Sequence, residues 1–254
     1  MTLSALVLGS YHLGDAIVVR PTGRLDLSTY AKLRDSLLKI AADEPVGIVV
    51  QLGDEFEFGS DSVANVFSTV WMRISEWPGV PVVVAAETAA HRETMVDSGV
   101  HRFVRYFATL RDAVTALGSP PPRRRDHVQL PPALIASRLS RQFIEETCGR
   151  WGVDDVLDDA LVVTSELVEN AVRHTASGPR LRLELRPGQL SIAVRDSDPT
   201  PPALREPDDR GGHGLPLVAT ISRAWGTAPS LDGKVVWAVL DRELNPRTGH
   251  VHPE

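Results

Sequence analysis

The sequence holds little that would fix it covalently or carry it across a membrane. It contains one cysteine, Cys148, which cannot close an internal disulfide, so a disulfide-stapled secreted scaffold is excluded. Cys148 follows "RQFIEET" on a helical pattern and reads as a small core residue holding a reduced thiol. No apolar stretch approaches the roughly 20 residues of a membrane-spanning helix. The opening "MTLSALVLGSYHLGD" has neither the basic region nor the apolar length of a secretory signal. A cytoplasmic protein that does not engage the membrane is therefore expected. Positive charge is also short: the formal net charge is −6 and the pI about 5.8, which leaves no electrostatic footprint for direct nucleic-acid binding.

What remains is ordinary for a soluble globular protein, with 43% hydrophobic and 24% charged residues over a chain of 254. That length suits one large domain or two ordinary ones. The clearest division is "GSPPPRRRD", residues 118–126, where a proline run favours an extended, semi-rigid spacer and the arginines read as a solvated linker. Two domains are expected, 1–117 and 127–242, with the linker between them and a tail over 243–254. In the first, the β-rich runs "AIVVRPTG", "GIVVQL" and "PVVVAA" alternate with helical stretches. These are "LSTYAKLRDSLLKIAADE" with Ser28 as N-cap, a helix from Ser60 to Trp77, one near 88–98, and "TLRDAVTAL". This order predicts an α/β layer. In the second, helices near 132–150 and 154–175 precede the pair "RLRLELR" and "LSIAVRD", joined at Pro187-Gly188 as an antiparallel hairpin. A glycine-led helix from "GGHGLPLVATIS" and strands near 223–228 and 234–241 complete an α+β sandwich.

The helix containing "TSELVENAVRHT", residues 164–175, raises a chemical question. At about 100° per residue, Ala160, Leu167, Val168 and Ala171 form one buried face, with Val163 on its flank. Glu166, Asn170 and His174 fall along that same flank. A solvated helix edge explains them blandly; a polar pocket explains them with a purpose. Two further elements point to the pocket. Asp196 closes the strand "LSIAVRD", where its side chain leaves the sheet, and "GGHG", Gly211 to Gly214, opens a helix whose free N–H groups and dipole favour phosphate. A carboxylate, an amide, a lone acceptor and a glycine-rich helix start suit a Mg2+–nucleotide, because Mg2+ takes a few oxygen ligands together with phosphate oxygens and water.

On "ELVENAVRH", "VRDSDP", "GGHGLPLV" and "GKVVWAVL" the chain resembles the Bergerat (GHKL, HATPase_c) ATP-binding fold over residues 127–242, and within it the anti-sigma-factor serine kinases of actinobacterial type. The resemblance implies ATP and Mg2+ as cofactors, Glu166 as general base and Asn170 as the Mg2+ ligand. It further implies that Asp196 accepts from the adenine amino group. Backbone contacts to the phosphates would come from Gly212, His213, Gly214 and Leu215, with residues 197–211 as a lid. Two departures stand out. Ser197, Asp198 and Pro199 replace the glycines that usually follow the aspartate, and Val235 stands where relatives often have threonine. His174 belongs to the motif without an assigned role.

The first domain, on "VVRPTGRLDLSTYAKLRDSLL" and "GIVVQLGDEFEFGSDSVANVF", is similar to a STAS domain, the anti-sigma-factor antagonist fold, over about residues 14–117. Antagonists of that kind carry a phosphorylated serine at a helix start, where phosphate is favoured by free N–H groups. Here the run is "GSDSVAN". Without a gap Asp61 takes the acceptor position, and with one inserted residue Ser62 does; Ser60 or Asp61 also reads as a plain helix N-cap. The two resemblances together imply a partner-switching regulator of sigma factors: a serine kinase acting on STAS-type antagonists, with sigma factor and antagonist as partners. The alternative is a non-catalytic, ATP-gated interaction module, and a homodimer stays open.

Overall fold

The computed structural model of the protein describes residues 5–118, 123–175, 177–201 and 214–242. Most of the chain up to residue 120 forms one compact unit and most of the chain beyond it a second. The proline run of the expected joint, most of the expected lid, Gly212, His213 and the tail lie outside the described residues.

The first unit runs β1 (Val7–Leu13), β2 (Ala16–Leu25), α1 (Tyr30–Ala42), β3 (Gly47–Leu52), β4 (Phe56–Phe58) and α2 (Asn65–Glu76). It continues with β5 (Val82–Ala86), α3 (Ala89–Asp97), β6 (Tyr106–Phe107) and α4 (Leu110–Leu117). The sheet order is β1-β2-β3-β5-β6, with β4 also on β2. β1 joins β2 antiparallel and the remaining pairings are parallel. Parallel strands covered on both faces need continuous apolar runs. Accordingly Val19, Ile48, Val50, Val82 and Val84 pack towards α1, α2 and α3, while Val18, Val49, Val83 and Ala85 pack with Ala113 and Leu117 of α4. Gly47 permits the second layer, since a β-carbon there would meet Leu117 Cδ2 at 2.6 Å.

The second unit contains β7 (Arg124–Gln129), α5 (Ile135–Trp151), α6 (Leu157–His174), β8 (Arg180–Arg186), β9 (Gln189–Asp196), α7 (Gly214–Ile221), β10 (Ala224–Pro229) and β11 (Lys234–Asp241). Its sheet order is β10-β11-β9-β8-β7. Leu181, Leu183, Ile192, Val194, Val236 and Ala238 alternate along their strands and meet the buried faces of α5, α6 and α7. The expected hairpin is present: Arg186 pairs with Gln189 across Pro187-Gly188, and Gly188 has the φ of 77° that a type II turn requires at that place. An α/β unit followed by an α+β unit is the layout the sequence predicts.

Three local expectations are corrected. The arginines of the joint are not all linker, because β7 begins at Arg124 and pairs with β8, and Arg125 Nε donates to the buried Glu184 carboxylate at 2.5 Å. Ser28 does not cap α1; its hydroxyl donates to Asp26 Oδ1 at 2.6 Å, closing a turn in which Asp26 also accepts the Ser28 and Thr29 N–H groups. Ser60 stands at the N-cap position of a 3-10 turn over Asp61–Ala64, and α2 begins only after that turn. Its side chain makes no cap and instead pairs with Ser62 Oγ at 2.9 Å.

Cys148 is fully buried in α5, and burial, with the Asp154 carboxylate adding to it, pushes its thiol up to about 11. Labelling by a disulfide-exchange reagent at pH 8 should therefore be orders of magnitude slower in the native protein than in denaturant; equal rates would show that the α5 core is open.

Candidate functional site

α6 buries Ala160, Val163, Thr164, Leu167, Val168 and Ala171 against the sheet. Glu166 and Asn170, one turn apart, lie half-buried beside that face, and His174 in the last turn is exposed. Neither the Glu166 carboxylate nor the Asn170 amide hydrogen-bonds to a described residue. Burial, and then the neighbouring Glu169 carboxylate, raise the Glu166 carboxyl above the ordinary glutamate range, with Arg173 opposing weakly. His174 and Arg173 sit where cations favour a helix C-terminus, a bland role that needs no ligand.

α7 packs on α6 and begins at Gly214. A β-carbon on Gly214 would lie 2.1 Å from Glu166 Oε2 and 3.1 Å from its carboxyl carbon. The glycine thus brings the start of α7 against the Glu166 carboxylate. Leu215, the next residue, is half-buried on the core of the unit.

Asp196 is not the lone acceptor expected from the sequence. It is buried at the end of β9, directly opposite Lys234 at the start of β11. Lys234, also buried, donates from Nζ to Asp196 Oδ1 and to the Asp198 carbonyl, each at 2.9 Å. The Asp198 N–H reaches the same Oδ1 at 2.9 Å. Asp198 is held below the ordinary aspartate range, first by its hydrogen bonds from Thr200 and then by Lys234. A second link ties this strand end towards α6: Ser177 Oγ and Ser197 Oγ lie 2.6 Å apart, and Thr175 joins Ser177 to the last turn of the helix.

The structure therefore joins Glu166 to Gly214 directly, and Asp196 to the end of α6 through Ser197. Asn170 shares the Glu166 side of α6. Sequence reasoning missed Gly233 and Lys234. Their signal was present in "GKVVWAVL", where one cation heads an otherwise apolar strand whose partner strand ends in aspartate. Gly233 is needed because a β-carbon there would fall 2.0 Å from the Asp196 carbonyl oxygen and 2.7 Å from Ser197 Cα. Among the described residues no group of three or more His, Cys, Asp or Glu side chains is placed to hold a metal ion by itself.

In the first unit Ser60, Asp61 and Ser62 form the exposed turn before α2, with Asp61 Oδ1 accepting from Thr94 Oγ1 of α3 at 3.2 Å. No described helix is long and apolar enough to cross a membrane.

Residues 130–240 match the family model described as a histidine kinase-like ATPase domain. Almost all of that match falls within the second unit. The chain is also similar to solved structures. One is an anti-sigma factor antagonist from Mycobacterium paratuberculosis, at 23% identity and a TM-score of 0.39, covering 44% of this chain and 94% of that one. Another comprises the RsbU and RsbW domains of a Mycobacterium tuberculosis protein, at 21% identity and a TM-score of 0.37. That match covers 49% of this chain and 34% of that one. A third is RsbS from Moorella thermoacetica, at 20% identity and a TM-score of 0.37, covering 43% of this chain and 93% of that one. Comparison with curated proteins finds no match.

Two glycine substitutions should act with opposite sign. Gly233→Ala sets a β-carbon against backbone that cannot yield, and should cost about 1–3 kcal/mol or more. Gly149→Ala, in α5 with open space around it, should stabilise by about 0.5–1 kcal/mol. Urea melts of both variants check the pair, and a neutral Gly233→Ala would refute the close approach at the strand end.

Proposed function

We propose that the chain is a partner-switching regulator whose second domain binds Mg–ATP and phosphorylates a serine of a STAS-type antagonist, the sigma factor being the competing partner. The observation that carries this reading is the half-buried Glu166 carboxylate, without a hydrogen-bond partner among the described residues, set against the glycine that opens α7. The residues present fit the cofactor. Asn170 presents a side-chain amide without a hydrogen-bond partner among the described residues and would hold Mg2+, whose preference for neutral oxygen and phosphate ligands suits it. The first turn of α7 would meet phosphate through N–H groups left without helical partners. ATP would supply the phosphoryl group; Glu166 would take the proton from the attacking serine hydroxyl, and the upward shift of its carboxyl makes it the stronger base.

The sign of the Glu166 shift makes two outcomes follow together. A carboxyl whose folded value lies above its unfolded value is disfavoured when ionised. That cost to stability is absent at pH below the unfolded value and complete above the folded one. Glu166→Gln should therefore raise the melting temperature at neutral pH while leaving Mg–ATP binding intact and lowering phosphoryl transfer by about 10²-fold or more. Wild-type transfer should fall as pH drops through the raised value. A radiolabelled ATP transfer assay against STAS proteins, with thermal melts alongside, checks both; a Glu166→Gln variant that transfers phosphate at the wild-type rate would sink the assignment.

Asn170→Ala should strongly weaken ATP binding in Mg2+ and change little in its absence, measured by calorimetry. If the wild-type chain binds Mg–ATP yet transfers phosphate to no antagonist, the ATP-gated interaction module becomes the reading. Val235, buried where relatives often carry threonine, is the observation in its favour.

A further inference from the structure

A lysine beside a nucleotide site is ordinarily expected to face phosphate. Lys234 does not. It is buried, and its ammonium group carries three donors. It donates to Asp196 Oδ1 and to the Asp198 carbonyl, each at 2.9 Å, and forms a longer ion pair with the Asp198 carboxylate at 3.6 Å. Asp196 Oδ1 receives a second bond, from the Asp198 N–H. Two donors on one oxygen fix the plane of the carboxylate, and none of these bonds falls on Oδ2.

We propose that Lys234 is a positioning residue for base recognition: by holding Asp196 through Oδ1 it leaves Oδ2 as the single oriented acceptor for an exocyclic amino group, and so makes the site select adenine over a 6-oxopurine. The proposal rests on the reading of this domain as an ATP site. The physical logic is that of a fixed acceptor in a buried setting. An amino group donates to Oδ2, whereas a carbonyl at the same ring position would present oxygen to oxygen and leave the carboxylate unsatisfied. The cross-strand pairing of Asp196 with Lys234 sets the separation, and Gly233 lets the two strand ends approach closely enough for it.

The test compares ATP with inosine triphosphate, which bears a carbonyl where ATP bears the amino group, by calorimetry on the full chain in Mg2+. Wild type should prefer ATP by about tenfold or more, the scale of one hydrogen bond to a charged group. Lys234→Gln should lose most of that preference through weaker ATP binding, with inosine triphosphate affinity little changed. Lys234→Arg, which keeps a cation on Oδ1, should retain most of it. Asp198→Asn, which removes the longer contact and leaves the carbonyl, should keep the wild-type ratio.

A lysine that merely supports the fold would lower both affinities together. An unchanged ratio in Lys234→Gln therefore overturns the proposal, as does loss of the ratio in Asp198→Asn. A measurement without substitution guards against misfolding: the buried ammonium resonance of Lys234 in 15N-labelled wild type should shift with saturating ATP and move far less with saturating inosine triphosphate. Equal shifts overturn the inference. Wild type that binds ATP but does not discriminate removes the selectivity claim alone, whereas wild type that binds neither nucleotide removes the ATP-site reading beneath it.

Discussion

The Glu166 carboxylate rests against the opening residue of α7, which has no β-carbon to meet it. A β-carbon on Gly214 would lie 2.1 Å from Oε2, so the Glu166 side chain would have to shift if any other residue stood there. α6 must then satisfy two demands in one register. Its buried stripe from Ala160 to Ala171 packs on the sheet, and its flank carries Glu166 and Asn170 one turn apart. Val163, Leu167 and Val168 of that stripe each contribute about 1.5–3 kcal/mol when fully buried, so the helix cannot rotate to hide its flank without losing these terms. The polar flank stays half-buried because the apolar face is held.

The same logic operates at the strand ends, with backbone in place of side chain. β9 and β11 pair in register over their whole length, ending with Asp196 opposite Lys234. That pairing brings two buried charges together, a juxtaposition that is costly unless both are well satisfied. It is satisfied through the turn that follows Asp196: the Asp198 N–H and carbonyl supply the donor and the acceptor the pair still lacks. The aspartate-serine-aspartate run after β9 is therefore more than a departure from a glycine pattern. Glycines would supply the same main-chain groups but not the Asp198 carboxylate, which adds a second anion near Lys234.

The fold was legible wherever burial imposed a period. β2, β3 and β5 are covered on both faces and show as unbroken apolar runs; β8, β9 and the helices show by alternation or by stripe. Elements without that imprint were missed. β1 is exposed along nearly all its length, β4 and β6 are three and two residues long, and β7 presents charged side chains on a sheet edge. For β7 the proline and arginine composition argued linker, and ladder hydrogen bonds with the Arg125–Glu184 ion pair decided otherwise. In the site, Glu166, Asn170, Asp196 and Gly214 could be named because helical spacing, a strand end and a glycine cluster each leave a mark. The pairing of Lys234 with Asp196 could not, since it depends on which residue of β11 stands opposite Asp196, and register between strands separated by a helix is settled by packing.

The two carboxylates of the site end in opposite electrostatic settings. Asp196 has an ammonium group at 2.9 Å and an N–H on the same oxygen, so its charge is balanced within the protein. Glu166 has no ion-pair partner among the described residues, sits half-buried, and has Glu169 nearby, so its proton affinity rises. A balanced carboxylate is held in one orientation, as the recognition role proposed for Asp196 requires. An unbalanced one holds a proton more readily, as the role of general base proposed for Glu166 requires. Environment alone pushes such a pair apart in function. Here that environment is built from one lysine heading a strand and one glycine heading a helix. The division of labour proposed for Asp196 and Glu166 therefore rests on residues that would carry out neither task.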